Sequence, residues 1–226
     1  MKIPILYEDN HLLIVEKPVN IPVQGDSSGD MDLLNILKND IKVRYQKPGN
    51  VYLGLVHRLD RPVGGAIVFA KTSKAASRLS DMIRKNTIER KYVAVVHGKP
   101  KRKKDQLIHY LYKDERKNKV SVVSPEHPKG KKAILDYEVI ESKEGLSLLA
   151  VKLHTGRPHQ IRVQLSSIGH PIYGDQKYGE HINKPGQQIA LWANAIQLEH
   201  PVRKEPIEVN SFPQDKFPWN LWDGLR

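Results

Sequence analysis

Two short stretches of this chain are too dense in charged, polar and glycine residues to be ordinary core or ordinary loop. The first is His57-Arg58-Leu59-Asp60-Arg61-Pro62-Val63-Gly64-Gly65, and the second is His154-Thr155-Gly156-Arg157-Pro158-His159-Gln160-Ile161-Arg162. In the first, a single carboxylate, Asp60, lies between Arg58 and Arg61, directly after an apolar strand and before a glycine pair that frees the backbone to turn. Nearby cations favour the ionised form of a carboxyl group. An ionised carboxylate at a strand end, approachable over glycines, suits a nucleophile or a general base. The same residues would equally make a surface ion-pair cluster capping a turn.

In the second stretch, Arg157 and Arg162 bracket a helix start, where guanidinium forks and unpaired backbone N–H groups can converge on an anion, either a substrate phosphate or Asp60 itself. Asp175 with His154 and His159 could form a metal-ligand set, but Arg157 between the two histidines would put a cation beside the metal, and the spacing fits no zinc site. Tyr92 opens an apolar strand; it either packs in the core or turns its ring to a base and its hydroxyl to a proton. Nucleotide-binding glycine loops, zinc-protease motifs and the nucleophile-elbow pattern are absent from the sequence.

The elements that must position these residues follow from periodicity. Ile3 to Tyr7 and Leu12 to Glu16 read as a hairpin around Glu8-Asp9-Asn10. Asp30 or Asp32 caps a helix carrying Leu33, Leu34, Ile36 and Leu37, and Thr72 or Ser73 caps a second running to about Lys85 with Ala75, Ala76, Leu79, Met82 and Ile83 inward. Strands are expected at 51–56, 66–70, 92–96, 107–111, 120–123, 134–140, 146–153 and 189–198. Pro158 suits the first turn of a third helix through Ser166 that stops near Gly169. With three helices among many strands and no regular βαβ alternation, the fold class is α+β on a mixed or antiparallel sheet, in one domain over residues 1–226.

Composition bounds the partners. The 226 residues hold 37 Lys and Arg against 25 Asp and Glu, a formal net charge of +12. Such a field attracts polyanions, nucleic acid first and an anionic membrane surface second. Three basic clusters fall in one third of the chain: Lys99, Lys101 to Lys104; Arg116, Lys117, Lys119; and Lys129, Lys131, Lys132. Each is broken by Pro, Gly or polar residues and reads as a loop or hairpin end; together they suggest a phosphate-tracking surface. No apolar run is long enough to span a bilayer, the N-terminus lacks the apolar core of a secretory signal, and there is no cysteine, so a cytoplasmic address and no membrane partner are expected.

Taken together, these segments resemble the RluA-type RNA pseudouridine synthases. The resemblance rests on Val15-Glu16-Lys17-Pro18, on HRLDRPVGGAIVFAK over residues 57–71, on RKYVAVVHG over 90–98, on LHTGRPHQIRVQLSSIGHPIYGDQKYG over 153–179, and on Leu191-Trp192-Ala193 leading to His200-Pro201. It implies a single catalytic domain with a bent, mixed, largely antiparallel sheet flanked by helices and loops, isomerising uridine in ribosomal or transfer RNA without metal or cofactor, and a monomer. Residue by residue, it assigns Asp60 as the catalytic aspartate, Arg162 as the basic residue paired with it and Tyr92 as the tyrosine against the target base. Arg58, which can fill the space left by the flipped base, heads a substrate-binding set with His57, Arg61, Arg157, Gln160 and Leu191. Departures from the usual pattern are Pro62-Val63-Gly64-Gly65 after Arg61, which removes hydroxyls, Trp192 and Gln164. Many members of that family carry a small N-terminal RNA-binding domain of the S4 type, whereas this sequence opens directly on the catalytic hairpin, so the catalytic body itself is expected to hold the RNA. Two other readings stay open: a catalytically silent RNA-binding protein on the same scaffold, and a hydrolase pairing Asp60 with Asp136 or Asp175.

Overall fold

The computed structural model describes residues 2–26, 28–223 and 225. In chain order the elements are β1 (Ile5–Glu8), β2 (Leu12–Lys17), α1 (Leu33–Arg44), β3 (Gly54–Leu55), β4 (Gly64–Ala70), α2 (Ser73–Arg84), β5 (Glu89–His97), β6 (Lys104–Asp114), β7 (Lys119–Val123), β8 (Lys131–Lys143), β9 (Leu146–Leu153), α3 (Gln160–Ser167), β10 (Leu191–Glu199) and β11 (Pro206–Asn210), followed by one 3-10 turn at Trp219–Leu221. None of the described helices is long and apolar enough to cross a membrane. The chain packs as two compact units: the residues up to Arg90 with Ala193–Phe212, and Lys91–Trp192 with the residues from Pro213 onward.

In the first unit β1 pairs with β2 and β2 with β4, antiparallel, placing Lys17 opposite Gly65. β10 pairs antiparallel with β11. The helices start where their caps dictate. Asp32 accepts from Asn35 N (3.0 Å) and Thr72 from Ala75 N (3.2 Å), each satisfying an N–H that has no intrahelical partner. The buried stripe Leu33, Leu37, Ile41 recurs every four residues on α1. Ala75 and Leu79 of α2 pack with Leu12, Ile14, Val68, Ile196 and Val209, so strands and helix close one apolar core. Each fully buried Leu or Ile side chain there contributes about 1.5–3 kcal/mol of transfer free energy.

Two expectations shift here. The strand expected over 51–56 shrinks to Gly54–Leu55, because beyond Leu55 a side chain takes over the ladder: His57 Nε2 accepts the Val68 N–H at 3.1 Å. β11, which sequence reading passed over, begins at a proline, as an edge strand tolerates, and buries Ile207 and Val209 alternately.

In the second unit the order is β5-β9-β8-β6-β7, with every neighbouring pair antiparallel. α3 covers one face: Val163 packs with Leu111, Val120 and Ala133. The helix starts two residues later than Pro158 suggests, with His159 at φ +51° before it. The reason is local. Gln160 Oε1 accepts from Arg157 N (3.0 Å) and Thr155 Oγ1 (2.8 Å), which closes residues 155–160 as a loop before helical bonding begins. α3 ends before Gly169, at φ +83°, as expected. The basic clusters fall between β5 and β6, at the β6–β7 turn, and in the β7–β8 turn running into β8.

Candidate active site

Asp60 sits half-buried in the segment that connects β3 to β4, at the start of a turn closed by Val63 N donating to the Asp60 carbonyl at 2.9 Å. What holds this turn is a residue to which sequence reading gave no role. Lys17, at the end of β2, is 0% exposed, and its Nζ donates to the carbonyls of Pro18 (2.9 Å), Arg61 (2.9 Å) and Val63 (2.7 Å). Two of these three belong to the Asp60 turn. A buried ammonium needs such acceptors, since each unpaired donor would cost about 1–3 kcal/mol. Burial, opposed by the Asp60 carboxylate and reinforced by the Arg61 charge, brings the Lys17 ammonium down to about 7. The strand-terminal Lys17-Pro18 pair was the signal available: a lysine that follows four fully buried residues of its strand has to find carbonyls.

The residues flanking Asp60 behave differently from one another. Arg58 is exposed. Arg61 turns to the 26–30 loop, pairing with Asp30 and Asp26 (3.8 Å) and donating to Ser28 Oγ (3.2 Å), so its charge is directed away from the turn it flanks. His57 turns inward to the β4 backbone; burial first, then the Arg90 charge, pushes its imidazole down to about 3, so the ring is neutral. At Gly65 the close approach that demands glycine is that of another strand. Gly64 and Gly65 lie buried within β4, and a Cβ on Gly65, at φ +115°, would stand 2.3 Å from the Ala193 carbonyl oxygen.

In the second unit Tyr92 lies on β5, 7% exposed, in the row Tyr137–Val151–Tyr92. Arg162, 6% exposed on α3, forks onto Asp175: Nε to Oδ2 and Nη2 to Oδ1, both at 2.8 Å. Burial raises the Asp175 carboxyl, but the Arg162 hydrogen bond and charge and the N–H groups of Lys177 and Tyr178 outweigh it and hold the group below its ordinary range. The Arg162 guanidinium carbon also stands 5.2 Å from the Tyr178 ring centre. Asp175, which sequence reading considered only as a metal ligand or second acid, is therefore the group that fixes the Nε–Nη2 edge of Arg162.

The two guanidinium groups of this stretch do not converge. Arg157 donates from Nε to the Lys132 carbonyl at 2.9 Å, at the start of β8. Gln160 is 3% exposed and its amide fastens the 155–160 loop, Nε2 donating to the Ile134 carbonyl at 3.0 Å. Gln164, one of the departures from the usual pattern, is fully buried and donates to the Leu107 carbonyl at 3.2 Å. Leu191 is 4% exposed at the start of β10. The histidines weighed as ligands go to separate partners: His154 Nε2 to Asp136 Oδ2 and His159 Nδ1 to Tyr178 Oη, each at 2.6 Å.

His57, Arg58, Asp60 and Arg61 thus belong to the first unit, and Tyr92, Arg157, Gln160, Arg162 and Leu191 to the second. Chemically, the first offers one carboxylate on a strapped turn, and the second a guanidinium whose orientation is fixed by a buried acid.

Comparison with known proteins agrees with the motif reading. Residues 11–167 match the family described as RNA pseudouridylate synthase. The chain is 39% identical over 218 residues to an uncharacterized RNA pseudouridine synthase, YhcT, of Bacillus subtilis, covering 95% of this chain and 70% of that one. It is 35% identical over 215 residues to the ribosomal large subunit pseudouridine synthase C of Buchnera aphidicola (92% and 66%), and 36% identical over 214 to the ribosomal large subunit pseudouridine synthase D of Nitrosomonas europaea (87% and 58%). The chain therefore spans between about half and three quarters of the length of these relatives. Among solved structures, human RNA pseudouridylate synthase domain containing 4 shares the fold, with a TM-score of 0.78 at 22% identity over 93% of this chain and 88% of that one. On the match over residues 11–167 and these identities, the chain belongs to the RluA-type RNA pseudouridine synthases, a family of isomerases.

Proposed function

We propose that this chain converts uridine to pseudouridine at specific sites in ribosomal RNA, with Asp60 as the catalytic carboxylate. In this isomerisation the N1–C1′ bond breaks, the retained uracil turns, C5 joins C1′, and the proton lost from C5 is balanced by one gained at N1. Atoms and electrons balance within the substrate, so no redox step or group donor enters. Asp60 can serve by attacking C1′, by adding to the uracil ring or by taking a sugar proton.

The observation that carries this reading is the turn at Asp60–Val63, where a single carboxylate stands half-buried on a loop that the Lys17 ammonium straps from below. Pre-positioned carboxylates of this kind are what proton transfer and nucleophilic attack require. Tyr92 is proposed to stack against the target base, and Arg162, oriented by Asp175, to act with Asp60. The uridine must leave its helix to be reached, at a cost of a few kcal/mol that a loop or a mismatch lowers. The choice of ribosomal RNA follows the names of the similar proteins from Buchnera aphidicola and Nitrosomonas europaea.

The hydrolase reading has no geometric support within the second unit, where Asp136 binds Gln106 and His154 and Asp175 binds Arg162. Asp60→Asn tests the proposal. Pseudouridine formation in ribosomal RNA should fall by at least about a thousandfold while RNA binding persists, as for removal of a reacting group. Retained turnover would refute the assignment. A pseudouridine map unchanged on deleting the gene would favour the silent RNA-binding reading, and sites lost from transfer RNA alone would move the substrate.

A further inference from the structure

The strip β7-β6-β8 has two faces, and α3 covers one of them. Gln164 Nε2 of α3 lies 3.1 Å from His109 Nδ1, and Leu111 packs with Val163, so the odd-numbered positions of β6 face the helix. The even-numbered positions face the other way. There Tyr110 stands opposite Lys132 and Ile108 opposite Ile134 on β8, while Tyr112 stands opposite Ser121 on β7. Ile108 is 49% exposed, Tyr110, Tyr112 and Ile134 are half-buried, and Lys119 and Lys132 are exposed. The Tyr112 ring is steadied by His127, 4.9 Å away between ring centres.

Charge names the occupant. Residues 99–132 carry twelve Lys and Arg against four Asp and Glu, an excess of eight out of the chain's +12. Arg102, Lys104 and Lys113 are neutralised by Asp105, Glu138 and Glu115. Lys119, Lys129, Lys131 and Lys132, at the tyrosine end of the strip, have no acidic partner among the described residues. An exposed sheet face with two aromatic rings on alternate positions of one strand and unneutralised lysines at its margin fits a single-stranded polyanion with flat bases. Stacking on rings and backbone contact to lysines are how such strands are held without sequence reading. A protein partner would need matching acidic and apolar groups, and nothing here selects one.

We propose that this face of the second unit is an RNA platform, on which one or two unstacked bases lie against Tyr110 and Tyr112 while Lys119 and Lys132 hold the flanking phosphates. The inference rests on the RNA-modifying reading and extends it: the enzyme would grip an unpaired stretch of the RNA that it modifies. Successive platform positions are roughly 7 Å apart along β6, two residues at about 3.3 Å each, matching the spacing of extended nucleotides.

The test uses the whole chain and a fluorescein-labelled decauridylate, with a second decamer carrying 4-thiouridine for photocrosslinking. Tyr110→Ala with Tyr112→Ala should weaken binding about tenfold or more, whereas Tyr110→Phe with Tyr112→Phe, which keeps both rings, should hold near the parent affinity. Lys119→Gln with Lys132→Gln should reduce the slope of log affinity against log salt by about 1.4, at roughly 0.7 per phosphate. Crosslinks should map to the peptide containing residues 105–113. Crosslinks confined to other peptides, with affinity and slope unchanged in the alanine and glutamine variants, would overturn the platform. Pseudouridine formation is measured separately, so a platform that fails while pseudouridine still forms leaves the isomerase reading intact. Thermal melting of each variant distinguishes lost binding from lost folding.

Discussion

Lys17 and Arg162 are both buried cations, one in each unit, and the protein neutralises them in opposite ways. Arg162 meets a full negative charge in two parallel hydrogen bonds, and Asp175 is itself supported by two backbone N–H groups. Lys17 meets three carbonyl dipoles and feels Asp60 only as a further charge. The consequence differs accordingly. A guanidinium stays charged at any accessible pH, so Arg162 is locked. The lysine is brought to about 7, so its charge is held only weakly. The first arrangement fixes the direction of a side chain; the second fixes a loop through its own backbone, because the lysine spends its donors on carbonyls of that loop.

The largest effect should come from breaking the locked pair. Asp175→Asn leaves Arg162 charged, buried and short of its counter-ion, which costs about 3–5 kcal/mol. At about 2–4 °C per kcal/mol for a chain of this size, the melting temperature should drop by at least about 6 °C. The Asp175 carboxyl is held below its ordinary range in the folded state, so its contribution is present above the unfolded value and lost as pH falls through the folded one. The deficit of the variant against the parent should therefore be constant from neutral pH down to about pH 4 and close only below that. A variant that melts with the parent would mean that Arg162 has other neutralising partners and that the contrast with Lys17 is false.

Lys17→Met sharpens the comparison from the other side. It leaves the Pro18, Arg61 and Val63 carbonyls without their donor but also removes a costly buried charge, so the net loss should be smaller, about 1–3 kcal/mol. The pH dependence carries the sign. The folded value, about 7, lies below the ordinary value of 10.5, so the unfolded chain binds more protons between the two. Stability contributed by Lys17 therefore rises as pH goes from 7 towards 10.5, by up to about 1.4 kcal/mol per unit. The parent should gain on the Met variant across that window, measured by denaturant melts at pH 7 and pH 9. A gap that stays constant would show that Lys17 keeps its proton and is as firmly held as Arg162.

The two regions were also unequally legible. Asp32 and Thr72 announced their helices because a cap is a local bond, three residues long, and the short apolar runs in β2, β4, β5 and β9 declared strands for the same kind of reason. Arg162 was singled out from its surroundings, but its partner was not, since Asp175 lies 13 residues away in a loop with no periodicity. Lys17 could be found only by asking what a lysine does at the end of a buried strand, because its acceptors, Arg61 and Val63, are 44 and 46 residues on. The structural roles of Gln160 and His57 were hidden for a related reason. Each uses a polar side chain as a substitute for backbone pairing, Gln160 to delay α3 and His57 to replace the end of β3, and neither role leaves a repeating pattern. Gly65 shows the limit most plainly, since the chain that approaches it, at Ala193, is 128 residues away.

His57 offers the smallest and most selective test, because it holds the same loop as Lys17 through a neutral ring. Its Nε2 must remain an acceptor to take the Val68 N–H, and protonation would both remove that acceptor and place a charge beside Arg90. Its folded value, about 3, lies below the ordinary value of 6.5, so the unfolded chain takes up a proton first as pH falls. Stability is full above 6.5 and declines below it, by up to about 1.4 kcal/mol per unit until the folded value is reached. His57→Gln can keep an acceptor without a titrating ring, so the parent should lose about 1 kcal/mol relative to this variant between pH 7 and pH 5.5. If both lose stability in parallel, the ring is reached by solvent and the loop depends on Lys17 alone. If only the parent declines, the Asp60 loop has two independent fastenings of the same pH sense in different windows: His57 loses strength as pH falls from 6.5 towards 3, and Lys17 gains it as pH rises from 7 towards 10.5.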